Sequence, residues 1–248
     1  MLWLSIVDFS EEITNDSLLS LIASHFPSYW RDLDVGSIQR GVEKKKYRTA
    51  IENHCADQQL WSKIEWYGNV ASKSDPEKDW ESYLSATFAG SRDLTICSTS
   101  SDFSTERLIQ FVCAASELGS LGYGYGGDWD AEGLTYYIAG ITYGLPKSLE
   151  EKRRADELSR WFSERLPIAN SPAKKRYLKG MYRGAYEINV LNRSQVDDGA
   201  QKSLQLRELN GSQLGTLSYC ENGTFLWTLA GSDLTAAEQL LLDKQLII

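Results

Sequence analysis

The chain has 248 residues, 42% hydrophobic and 24% charged, the balance of an ordinary soluble globular protein and enough for one large domain or two small ones. Its formal net charge is −8 and its sequence pI about 4.9, opposite in sign to what nucleic-acid binding by phosphate neutralisation needs. No apolar run is long enough to cross a bilayer, and Met1–Asp8 lacks the positive start of a secretory signal, so a cytoplasmic protein is expected.

Trp3–Phe9 is apolar and β-prone and predicts a buried strand. Asn15 or Asp16 caps a predicted helix with Leu18, Leu19, Leu21, Ile22 and Phe26 on one face, and Pro27 ends it. Residues 28–60 show no clear phase. Leu60–Tyr67 is strand-like, and Ser72–Glu77 is a polar loop. Trp80–Phe88 and Leu94–Cys97 predict two strands joined by the turn Gly90–Asp93. Ser104 opens a helix through Leu108, Ile109, Phe111, Val112, Ala115 and Leu118, apolar around much of its girth, and Gly119 stops it. Leu134–Tyr143 reads as a strand.

Gly144–Lys147 is the expected break between two subdomains, 1–144 and 148–248. Ser148 and Glu151 form a capping box for a charged helix running to about Leu166, and Pro167 and Pro172 punctuate the segment beyond it. Lys174–Met181 suits a helical turn or two, and Tyr186–Leu191 is strand-like. Residues 217–229 predict a β-hairpin turning at Asn222-Gly223, where both residues need positive φ. A final helix from Ser232 or Asp233 packs through Leu234, Ala237, Leu240 and Leu241. Strand clusters mixed with helices, without βαβ alternation, predict an α+β fold: mixed, mostly antiparallel sheets with packed helices.

The most unusual stretch is Leu121–Asp130, with four glycines, three large aromatics and two carboxylates. It reads as a bent strand or loop that either buries its tyrosines or presents rings and negative charge to another surface. Tyr123, Tyr125, Asp128, Trp129, Asp130 and Glu132 are the candidate contacts. Gly122, Gly124 and Gly127 fit the dinucleotide fingerprint as a string, but a helix precedes them where a strand is required, so no cofactor is expected. Asp128, Asp130, Glu132 and Gly133 imitate a calcium loop whose twelfth position is Ala139 instead of the closing glutamate, so no metal is expected.

Cys55, Cys97, Cys113 and Cys220 are widely spaced and read as free buried thiols in a reducing compartment. His25 is a core-edge residue, and His54 beside Cys55 is not a preformed dyad. There is no Gly-x-Ser-x-Gly elbow, no His-Glu-x-x-His and no Walker lysine. Two alternatives to a protein-binding role stay open: a glycosidase-like hydrolase using a carboxylate pair in the 128–132 loop, and a carbohydrate- or small-ligand-binding module.

Lys179-Gly180-Met181-Tyr182-Arg183-Gly184-Ala185-Tyr186-Glu187-Ile188-Asn189-Val190-Leu191 resembles a segment of the type 52 immunity proteins of bacterial polymorphic-toxin systems. Lys179 replaces the usual leading arginine, and Glu187-Ile188 replaces proline and leucine. Gly215-Thr216-Leu217, Asn222-Gly223, Leu226-Trp227-Thr228 and a leucine-rich helix come next in the family's order, so the resemblance spans residues 176–248. It implies a non-enzymatic immunity protein that neutralises a cognate type VI secreted toxin in the cytoplasm. The implied partner is a basic, nucleic-acid-cleaving protein, not a nucleic acid or a membrane. The acidic surface would steer capture of such a toxin. Gly180, Met181, Tyr182, Arg183, Tyr186, Asn189 and Trp227 are the motif residues, and aromatics of this kind partition to the core more often than to an interface.

Overall fold

The computed structural model describes residues 1–40, 43–46, 62–68, 81–88, 92–128, 182, 184–196, 214–244 and 246, with backbone alone for 34–40 and 43–46. Leu2–Val7 forms β1, the strand around which the sheet is built. The others are β2 (Leu33–Arg40), β3 (Glu43–Lys46), β4 (Lys63–Gly68), β5 (Ser82–Thr87), β6 (Asp93–Ser98), β7 (Tyr123–Asp128), β8 (Ile188–Asn192), β9 (Thr216–Tyr219) and β10 (Thr224–Thr228). They form one sheet in the order β3-β2-β4-β5-β6-β1-β7-β8-β10-β9. Every described pairing is antiparallel. The expected α+β class is therefore the observed one. The two expected subdomains leave no seam in this sheet, because β7 and β8, from either side of the break expected at 144–148, are paired neighbours.

β1 is buried on both faces because alternate side chains leave a strand in opposite directions. Leu4 and Ile6 join a core with Ile64, Trp66, Leu84, Leu94, Ile96, Val190 and Leu226. Among the described residues, that face is covered by α1 (Asn15–His25) through Leu18, Leu19 and Ile22, by Tyr29 just beyond it, and by α3 (Thr105–Leu118) through Leu108, Phe111, Val112 and Ala115. Trp3 and Val7 point the other way, into a second core with Tyr67, Tyr83, Tyr123, Tyr125, Tyr182, Leu191 and Trp227. There α4 (Leu234–Asp243), entered through a 3-10 turn at Gly231–Asp233, packs through Ala237 and Leu241.

Several helix ends differ from expectation. Thr14, not Asn15 or Asp16, caps α1: its hydroxyl accepts from the Ser17 N–H at 3.2 Å, and the Ser17 hydroxyl accepts from the Thr14 N–H at 3.0 Å. Pro27 does more than stop α1. It opens α2 (Pro27–Asp32) at a position where a missing N–H costs nothing. Asp102 caps α2 from a distance, accepting from the Ser28 N–H at 2.6 Å and the Tyr29 N–H at 3.3 Å. Gly119 does end α3, but with φ 169° it is extended. Its requirement is space, since a Cβ there would lie 2.4 Å from the Ser10 hydroxyl.

The cysteine expectation needs correction. Cys113 of α3 and Cys220, just beyond β9, are joined as a disulfide with Cα atoms 5.2 Å apart. They are 107 residues apart in sequence, so only the packing of α3 against the hairpin brings them together. Cys97 is a free, buried thiol. The strand expected at 134–143, the helix at 148–166, the turns at 174–181, Cys55 and His54 lie outside the described residues.

Candidate functional site

The glycine–aromatic run is β7, set between β1 and β8. Its tyrosines face the second core and are fully buried. Tyr125 packs on Trp3 at 5.3 Å and on Tyr186 at 5.0 Å between ring centroids, and Tyr123 meets Tyr182 at 6.4 Å. The expectation that these rings anchor a partner is thereby corrected for Tyr123 and Tyr125: both spend their surface inside the molecule.

The glycines explain how β7 fits. Gly126 lies opposite Leu4, and a Cβ there would stand 2.4 Å from the Trp3 carbonyl oxygen. At Gly124 it would stand 2.8 Å from the Ser5 carbonyl oxygen and 3.0 Å from Val190. Close backbone approach to β1, not phosphate binding, is what these glycines serve. They lie within a strand, not at the strand-to-helix turn that a dinucleotide site requires.

Asp128 ends β7 at the surface, its side chain 66% exposed, and accepts from the Met1 amine at 3.1 Å. Glu187 stands nearby. Burial pushes its carboxyl above the usual range, a hydrogen bond to its own backbone opposes this, and the negative charge of Asp128 adds to the rise. Of the candidate contacts, Asp128 is thus the one at the surface among the described residues, while Trp129, Asp130 and Glu132 lie outside them.

The motif residues assemble into the second core. Asn189 is fully buried on β8. Its amide nitrogen donates to the Tyr186 carbonyl at 2.6 Å and the Trp227 carbonyl at 3.1 Å, and its oxygen accepts from the Tyr186 N–H at 3.2 Å. One side chain therefore satisfies three backbone groups where the chain enters β8 beside β10. The Tyr182 hydroxyl donates to the Gln195 carbonyl at 3.0 Å, and the Trp227 indole donates to the Leu214 carbonyl at 2.9 Å. Tyr182, Tyr186, Asn189 and Trp227 hold the C-terminal strands to the sheet. Gly180, Met181 and Arg183 lie outside the described residues.

At the opposite end of β7 from Asp128 lies an open cleft of about 660 Å³, lined by Glu12, Ser120, Asn192, Arg193, Tyr219 and Asn222 among others. Arg193 is exposed, and Tyr219 is 60% exposed. Local pattern did not single out either residue. The one available signal was the absence of charge from residue 209 to residue 220. The hairpin wall of the cleft is fixed to α3 by the disulfide and by Ser116, whose hydroxyl accepts from the Glu221 N–H at 3.0 Å and whose carbonyl accepts from the Asn222 amide at 2.7 Å. Among the described residues no group of His, Cys, Asp and Glu is placed to hold a metal ion, and no helix is long and apolar enough to cross a membrane.

The fold is shared with a known protein. The Pseudomonas aeruginosa T6SS protein PA0821 superposes with a TM-score of 0.55, covering 98% of this chain and 71% of that one at 14% sequence identity. At that identity the likeness is one of fold. No family model matches the chain, and no curated protein matches it.

Proposed function

We propose that the chain is an immunity protein of a type VI secretion system, which binds a cognate antibacterial toxin and blocks it without catalysing a reaction. The observation that carries this reading is the fold shared with the T6SS protein PA0821 along nearly the whole chain. The resemblance of residues 176–248 to type 52 immunity proteins points the same way, and Tyr182, Tyr186, Asn189 and Trp227 form a connected core there. The toxin is basic and cleaves nucleic acid, and neutralisation takes place in the cytoplasm. A net charge of −8 supports fast capture of a basic partner by Coulomb steering.

The test is co-expression with the toxin encoded beside the gene. The expected result is survival of cells that otherwise die, together with a stable complex of the purified proteins. Continued killing, or turnover of a substrate by the purified chain alone, would overturn the proposal. Replacing Asp128 with lysine tests whether the exposed end of β7 touches the toxin. Weakened binding with unchanged thermal stability is expected.

A further inference from the structure

β9 stands apart from the other strands whose side chains are described. All four of its residues are at least partly exposed, whereas the rest are largely buried. It pairs with β10 on one side and, among the described residues, ends the sheet on the other. The hairpin sets the direction of its backbone groups. The Cys220 N–H donates to the Thr224 carbonyl at 2.9 Å. Bonded and non-bonded pairs alternate along an antiparallel ladder, so Tyr219 opposite Phe225 is non-bonded, Ser218 opposite Leu226 is bonded, and Leu217 opposite Trp227 is non-bonded. The N–H and C=O groups of Leu217 and Tyr219 therefore point out from the open edge.

Proteins guard such edges with lysine, proline or inward charge. None is present here: from residue 209 to residue 220 the sequence has no charged residue and no proline, in a chain of net charge −8. The same stretch is self-complementary. In an antiparallel pairing of two copies centred on Ser218, Leu217 of each copy lies opposite Tyr219 of the other, and the two residues exchange both backbone bonds. Leu217 and Tyr219 share a face, so each exposed Tyr219 ring, now edge-on to Phe225 at 5.3 Å, would cover a partly exposed Leu217 across the joint. The two Ser218 hydroxyls meet on the two-fold axis.

We propose that this edge binds a second copy of the chain, joining two sheets through β9 in a two-fold dimer. A second copy fits better than a basic partner, because the edge offers no charge to a basic protein and sets no like charges face to face when it pairs with itself. The dimer is concentration-dependent, since four residues a side fall short of a standard interface.

The test is light scattering with size-exclusion chromatography over a concentration series. The wild-type mass is expected to rise from 28.0 kDa toward twice that value. Tyr219→Lys, which places a charge on the edge, is expected to stay at the single-chain mass with an unchanged circular dichroism spectrum. Ser218→Cys keeps the question answerable should that variant misfold: non-bonded cross-strand residues lie about 4.5 Å apart by Cα, and mild oxidation is expected to cross-link it where the wild type is not cross-linked. A wild type of single-chain mass at every concentration would overturn the proposal, as would a Tyr219→Lys dimer or a Ser218→Cys chain that does not cross-link. So would a monomer that loses toxin binding on Tyr219→Lys, which would assign the edge to the toxin.

Discussion

Asn189→Ala separates an architectural role for the sequence motif from a role in binding. The Asn189 amide is fully buried and serves the Tyr186 N–H, the Tyr186 carbonyl and the Trp227 carbonyl. Removing it takes one hydrogen bond from each of three backbone groups, although the Trp227 carbonyl keeps the ladder bond from the backbone N–H of residue 189. Each buried, unsatisfied group costs ~1–3 kcal/mol. Tyr186 sits at the mouth of β8, where relaxation and water recover part of that cost. A loss of about 3 kcal/mol results, a large share of the roughly 5–15 kcal/mol that holds a native protein together. For a chain of this length it lowers the melting temperature by about 6–12 °C. Urea titration followed by tryptophan fluorescence measures the loss, with Asn189→Asp as the companion variant that keeps acceptors but loses the donor. A loss below about 1 kcal/mol would refute the reasoning. So would unchanged stability with abolished toxin binding, which would put Asn189 at an interface.

Three further perturbations test other parts of the structure. Gly126→Ala drives a Cβ against the Trp3 carbonyl and should cost about 1–3 kcal/mol; Gly223→Ala, at φ 74° with open space around it, should cost about 1–2 kcal/mol from backbone strain alone, and thermal melts should rank the two in that order. Reduction of Cys113–Cys220, or the double serine variant, releases a 107-residue separation and should cost up to about 4.8 kcal/mol on the chain-entropy account, read as a lowered urea midpoint. If neutralisation is cytoplasmic, alkylation in intact cells should trap both thiols reduced, with the bond forming on purification in air. Because burial raises the Glu187 carboxyl above its unfolded value, its contribution is most favourable below the unfolded pKa and is lost as pH rises through the folded one. Glu187→Gln should therefore match the wild type in acid and exceed its stability at neutral pH, as melting temperatures across a pH series would reveal.

Much of the fold was legible in local pattern. The apolar run at the N-terminus, the helical spacing after Ser104 and the Asn222-Gly223 turn each act over a few residues, and the structure keeps all three, with φ of 51° and 74° at the turn. Residues 28–60 carried no phase, and β2 and β3 form there through pairing with β4 and with each other. Similarly, Thr14 caps α1 within reach of sequence reading, but nothing near Pro27 announces that Asp102 will cap α2.

The candidate site divides the same way. By itself the sequence determined that the 121–130 run needs glycines and buries or displays its rings. The placement of β7 between β1 and β8 decided that Tyr123 and Tyr125 go inward while Asp128 stays at the surface. The pairing of Cys113 with Cys220 and the open edge at Leu217 and Tyr219 likewise arise from the meeting of distant segments. Periodicity records which side chains share a face. Which neighbour covers that face is set by sheet order, and no local pattern encodes it.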